Sequence, residues 1–273
     1  MSVAGTPVIF IHGLWIHASS WQPWIERFAA AGYRPIAPGW PGDAGTAAES
    51  RDRPDRLAGH GLDDIAAHYG RIIDTLDEPP IVIGHSVGGL ITQKLNVTHR
   101  LRAAVAISPA PVKGVKPVPP AQLRSSFPAL RWPGNAKRAI ALSVNQFRYA
   151  FGNAITPAES FALHTEYAIP GPARTLFEIA TANLRRESAA AVDVRTGDRA
   201  PLLLVAAERD HTVPAVVVRA AHRLYRESPA VADLMVVPGR GHSYVLDHDW
   251  PDLAARIEAW LADRPARSGP LVR

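Results

Sequence analysis

Gly84-His85-Ser86-Val87-Gly88 sets a serine between two glycines, directly after the apolar run Ile81-Val82-Ile83 and before a stretch with helical spacing. A serine on a tight strand-to-helix turn projects beyond the sheet edge, where a base can reach its hydroxyl. Glycine at 84 and 88 removes the side chains that such a strained turn would crowd, and Gly89 lets the following helix approach the sheet. A serine hydroxyl is a poor nucleophile at neutral pH. It needs a base to take its proton, and the base needs a partner to hold its tautomer. His242, in Gly239-Arg240-Gly241-His242, follows the apolar run Leu234–Val237 and is the candidate base. Asp210, in Glu208-Arg209-Asp210-His211, follows Leu202–Val205 and is the candidate carboxylate, with Glu208 and Asp193 as rivals. Both positions lie at the carboxyl ends of expected strands, where open α/β sheets bind their ligands.

A tetrahedral oxyanion also needs two preorganised backbone donors. The Val87 N–H opens the helix after the serine, where the helix dipole favours negative charge. The second expected donor is the Leu14 N–H, in the loop His12-Gly13-Leu14-Trp15 after the first strand. Trp15 and Trp40 are the expected contributors to an apolar substrate pocket.

The elements that must carry these groups alternate. Val8–Ile11 reads as a strand buried on both faces. Ser19 or Ser20 is expected to cap a helix with its apolar stripe at Trp21, Trp24, Ile25 and Phe28, closed by Gly32. Residues 34–37 read as a short strand, whose proline argues for early pairing or an edge position. A helix is expected over Leu62–Leu76, a strand at 81–83, a helix to about Thr98 and a strand at 103–107. The alternation resumes with a strand at 202–205, a helix from Pro214 to about Tyr225, a strand at 234–237 and a last helix capped by Asp249. The tail 264–273 is expected to fray. Such alternation predicts an α/β fold with a mostly parallel central sheet flanked by helices.

The pattern breaks at Ser108. Residues 109–135 are rich in proline, and helical stretches are expected near 136–151, 158–167 and 174–186, with no apolar strand run between them. This predicts a helical insertion over 109–191 and a core made of 1–108 and 192–273.

Composition narrows the function further. The 273 residues contain no cysteine, so disulfides, thiolate nucleophiles and cysteine-held zinc are excluded. The net charge of +5 comes from scattered arginines interleaved with acids, which argues against nucleic-acid binding. No apolar run is long enough for a membrane span and the opening residues carry no basic-then-apolar leader. The expected setting is cytoplasmic, with no membrane partner.

Together these segments resemble the α/β-hydrolase fold family: Val8–Trp15 for the oxyanion strand and loop, Gly84–Gly89 for the nucleophile turn, Leu202–Pro214 for the acid loop and Gly239–His242 for the base loop. The chain order Ser86, Asp210, His242 is also that family's order. The resemblance implies that 109–191 is a cap that sets substrate choice, and that no metal or organic cofactor is needed. It implies hydrolysis of a carboxylic ester or lactone of a small apolar substrate through an acyl-enzyme. The same residues would serve a cofactor-free perhydrolase or haloperoxidase, or a hydroxynitrile lyase. The lyase usually needs a cation near the serine, and the nearest lysine, Lys94, is expected to face solvent. A ligand-binding receptor on the same fold is the alternative from outside enzymology.

Overall fold

The computed structural model describes residues 5–263. The expectations for the first four residues and for the tail 264–273 lie outside the described residues. Strands β1 (Pro7–Ile11), β2 (Arg34–Ile36), β3 (Ile81–His85) and β4 (Ala103–Ile107) precede a two-residue pair, β5 (Ala139–Ile140) and β6 (Gly171–Pro172). Strands β7 (Leu202–Ala207) and β8 (Ala232–Val237) follow. The main sheet has the order β2-β1-β3-β4-β7-β8, and every pairing in it is parallel. The order turns back at β1, so the ends of β1, β3, β7 and β8 can gather functional loops along one edge.

All residues of β1, β3, β4 and β7 are buried. Helices on both faces make this necessary, and the continuous apolar runs in the sequence reflect it. Under β1, Phe10 stacks on Trp21 with ring centroids 4.9 Å apart and meets Trp24 and Phe28 edge-on. These aromatics come from the first helix, Gln22–Ala30, and from the turn before it. Gly32 ends that helix at φ +87°, as its sequence position required.

Three local expectations need correction. Neither Ser19 nor Ser20 caps the first helix. A 3₁₀ turn, Ala18–Trp21, precedes it, and the His17 ring accepts the Ser19 N–H at 3.1 Å instead. Asp249 stands at the N-cap of the last helix, Trp250–Ala262, without a side-chain cap bond. Its carboxylate pairs with Arg240 and His248. The third correction concerns 109–191. A helix runs over Pro120–Leu130 inside the proline-rich stretch, because Pro120 occupies a first-turn position, where its fixed φ helps and its missing N–H costs nothing. The helix expected over 136–151 is confined to Val144–Ala150, behind the short strand β5. Helices Pro157–Tyr167 and Arg174–Ala180 occur near their expected places. Among the described residues, no helix is long and apolar enough to cross a membrane.

Candidate active site

Ser86 joins β3 to the helix Val87–Thr98 with φ 56° and ψ −120°, a backbone state that non-glycine residues rarely adopt. Strain of this kind costs of order 1–3 kcal/mol and persists only where the surroundings impose it. Here the Ser86 N–H donates to the Ile107 carbonyl at 2.9 Å, and the Ser86 carbonyl accepts from Gly89, Leu90 and Ala110 N–H groups. A side chain at Gly84 would run into the Gly88 carbonyl and Thr92 Oγ1, and one at Gly88 into the carbonyl oxygens of Ile11 and His12. Glycine at these positions therefore lets the turn close and lets its helix touch the end of β1.

Asp210 and His242 are brought together from the loops after β7 and β8. Asp210 Oδ2 lies 2.6 Å from His242 Nδ1, and both side chains are fully buried. The other carboxylate oxygen, Oδ1, accepts the N–H groups of Thr212 and Val213, each at 2.7 Å. These bonds hold the carboxylate so that Nδ1 carries a proton towards it, which leaves the Nε2 lone pair as the acceptor. His242 Nε2 is buried and has no hydrogen-bond partner among the described residues. It therefore makes no hydrogen bond to the Ser86 hydroxyl in this structure. The imidazole is nonetheless adjacent to the turn: its ring lies 4.5 Å from that of His85, the residue preceding Ser86. Of the rival acids, Glu208 accepts the Gly239 N–H at 2.9 Å, and Asp193 accepts the Arg195 N–H. Neither meets the imidazole.

Gly13 presses on the turn from the other side. A Cβ there would lie 2.9 Å from His85 Nδ1 and 3.0 Å from Ser86 Cβ. Leu14 and Val87, the two expected oxyanion donors, are therefore in the chain segments that flank the serine, and both are buried. The loop carrying Leu14 is fixed by contacts that sequence reasoning missed. His12 Nε2 lies 2.9 Å from Asp43 Oδ2, both being buried, and the His12 ring stacks on Trp40 with centroids 4.8 Å apart. Trp15 has φ +71° and its indole N–H donates to the Ile140 carbonyl at 2.9 Å. The Trp15 carbonyl accepts from Ile169, and His17 N–H donates to Tyr167. Gly171 of β6 packs against Leu14, where a side chain would not fit. The segment 139–172 thus grips the loop that carries Leu14.

Trp15 and Trp40 border a cavity of about 10 Å³, roughly the room for one water. None of Ser86, Asp210 and His242 borders it. The two indoles support the loop in this conformation. The serine itself is covered: Ser86 is 4% and His242 1% exposed, and Phe151 meets the His242 ring edge-on at 4.8 Å. A larger open cleft, about 400 Å³, reaches Asp210 between Pro119, Asn153, Arg209 and His211.

His85 is buried with neither ring nitrogen hydrogen-bonded among the described residues. Burial, and then the neighbouring His242, hold its pKa well below the ordinary histidine range. The unfolded chain, with a histidine pKa near 6.5, takes up this proton first as pH falls. Stability from His85 is therefore complete above about pH 6.5 and decreases below it, by about 1.4 kcal/mol per pH unit for one proton. Thermal unfolding between pH 7.5 and 5 should show this decline, and His85→Phe should flatten it.

A family model described as the alpha/beta hydrolase family matches residues 8–256. A phage protein (Mycobacterium phage D29) carrying the name non-heme haloperoxidase is 32% identical over 104 residues, covering 38% of this chain and 35% of that protein. The (E)-2-((N-methylformamido)methylene)succinate hydrolase of Acinetobacter baylyi is 34% identical over 96 residues, 35% of this chain and 34% of that enzyme. The chain spans less than half the length of the curated relatives it matches. Among solved structures, the monoacylglycerol lipase of Paleococcus ferrophilus superposes with a TM-score of 0.63 at 21% identity, covering 96% of this chain and 97% of that one, a likeness of fold.

Proposed function

The chain belongs to the alpha/beta hydrolase family, and we propose that it acts as a serine hydrolase, cleaving a carboxylic ester or lactone of a small apolar substrate through an acyl-enzyme on Ser86. The observation that carries this reading is the buried Asp210–His242 pair, with Nε2 left unpaired among the described residues and its ring against His85, the residue before a serine held in a strained turn. His242 Nε2 takes the hydroxyl proton as Ser86 Oγ bonds to the acyl carbon. The resulting oxyanion is held by the N–H groups of Leu14 and Val87. The imidazolium returns its proton to the leaving alcohol, and the C–O bond to that alcohol breaks. Water, deprotonated by the same imidazole, then attacks the acyl carbon and releases the acid and free Ser86. Asp210 stays ionised throughout and steadies the positive ring. The missing Ser86–His242 bond is one that forms when substrate orders the site, as catalytic hydrogen bonds often do.

On this reading 109–191 is a cap over a core of 1–108 and 192–273, and it meets the site through Ala110, Phe151 and the β5–β6 pair. The cap's grip on the oxyanion loop gives a specific expectation. Trp15→Phe removes the bond to Ile140 and keeps an aromatic ring. It should lower kcat by roughly tenfold with little change in KM, because the Leu14 donor matters most once charge has developed. A raised KM with kcat unchanged would place Trp15 in substrate binding instead.

The name of the phage relative favours peroxide chemistry as a second reading, with an acyl-enzyme attacked by hydrogen peroxide in place of water. The lyase reading draws no support from Lys94, whose ammonium is held by Asp63 at 3.0 Å and by the Ala189 carbonyl. That also corrects the expectation of a solvent-facing lysine. A panel of p-nitrophenyl esters and lactones of graded length, given to wild type and to Ser86→Ala, tests the proposal. Turnover of at least one by wild type alone supports hydrolysis. No turnover of any by wild type contradicts it.

A further inference from the structure

The helix Pro120–Leu130 is turned inside out. It buries the small residues Ser125 and Ala129, while Leu123 and Phe127, one turn apart, are 54% and 62% exposed. Val118 just before it and Trp132 just after it are exposed to 60% and 65%. An amphipathic helix normally buries its large apolar side chains. Large apolar groups clustered outward mark a surface that meets something apolar.

The chain segment that carries this cluster has charge of one sign, and the exposed Glu208 borders the cleft beside Pro119–Ala121. Between Glu78 and Glu159 the sequence contains no aspartate or glutamate. Lys116, Arg131, Lys137 and Arg138, in the segments flanking the helix, are exposed, and among the described residues none of them forms an ion pair. Arginines elsewhere on the surface, such as Arg27, Arg34 and Arg174, do have carboxylate partners.

We propose that the surface formed by Val118, Leu123, Phe127 and Trp132 with these four cations docks on an anionic lipid bilayer. Phe, Leu and Trp beside unpaired Lys and Arg are the make-up of a helix that lies in the headgroup region, its apolar side chains in the acyl boundary and its cations on the phosphates. The expectation of no membrane partner rested on the lack of a spanning segment, and a surface-lying helix needs none. A second copy of the chain fits less well, since a two-fold contact would bring the same uncompensated cations face to face. Nucleic acid would satisfy the cations but leave Val118 and Leu123 without a use. The proposal does not depend on the hydrolase reading, because its readout is binding.

The test is sedimentation of the full chain with vesicles of phosphatidylcholine alone and of phosphatidylcholine mixed with phosphatidylglycerol. The expected result is binding to the anionic vesicles only, weakened by salt. Phe127→Ser with Trp132→Ser, and separately Arg131→Glu with Lys137→Glu, should each reduce partitioning roughly tenfold or more while leaving the thermal unfolding midpoint unchanged. Equal binding to both vesicle types, no binding to either, or unchanged binding by both double variants would overturn the proposal. So would a concentration-dependent dimer abolished by the apolar pair of changes, which would assign the face to a second copy. Retention of a short RNA in preference to the vesicles would assign it to nucleic acid. Turnover of a soluble ester by the same samples reports separately on the catalytic reading.

Discussion

Replacing His242 by alanine is expected to lower kcat by on the order of a millionfold, with KM changed little, because the group that takes and returns every proton is gone. Ser86→Ala should cost about as much, and the double variant little more, since the two act as a unit. The structural consequence differs between them. His242→Ala leaves the buried Asp210 carboxylate with only the Thr212 and Val213 N–H groups, so the variant should also unfold at a lower temperature. Ser86→Ala removes only a hydroxyl, and its fold should be intact. Activity loss without destabilisation in Ser86→Ala, and with it in His242→Ala, is the joint signature. It is checked by ester turnover and thermal unfolding on the same preparations.

Asp210→Asn is expected to lower kcat by about ten-thousandfold. The asparagine carbonyl oxygen can still accept from Thr212 and Val213 at the place of Oδ1. Its NH₂ group then points at His242 Nδ1, 2.6 Å away in the present pair, and can only donate. The imidazole is forced into the tautomer with its proton on Nε2, where a free lone pair is needed. Glu208→Gln, by contrast, changes an exposed side chain bonded to the Gly239 N–H and should retain near wild-type turnover. A large loss in Glu208→Gln with little in Asp210→Asn would mean that the acid had been assigned to the wrong residue of the loop.

Much of this arrangement is legible in the sequence alone. Val8–Ile11, 103–107 and 202–205 are apolar without a break because both faces of their strands are covered. Gly84 and Gly88 are read correctly because a local backbone state demands them. Asp210 and His242 follow from strand ends, Asp210 after the buried strand β7 and His242 after the partly buried edge strand β8. What stayed hidden depends on distant partners. The His12–Asp43 pair joins two loops that no short motif links. Trp15 and Trp40 are large and apolar near the site, and their contacts with the Ile140 carbonyl and the His12 ring cannot be read from the sequence. Residues 109–191 are the least legible segment. Its prolines resemble helix breakers until Pro120 is seen at a helix start, and a two-residue pair such as β5–β6 has no hydrophobic period to detect.

A fluorophosphonate probe, followed by intact mass and peptide mapping, tests most directly whether Ser86 is an activated nucleophile. The account predicts one adduct per chain, on Ser86, formed rapidly by wild type, very slowly by His242→Ala and not at all by Ser86→Ala. An unmodified wild-type chain, or an adduct that persists when Ser86 is replaced, would contradict it.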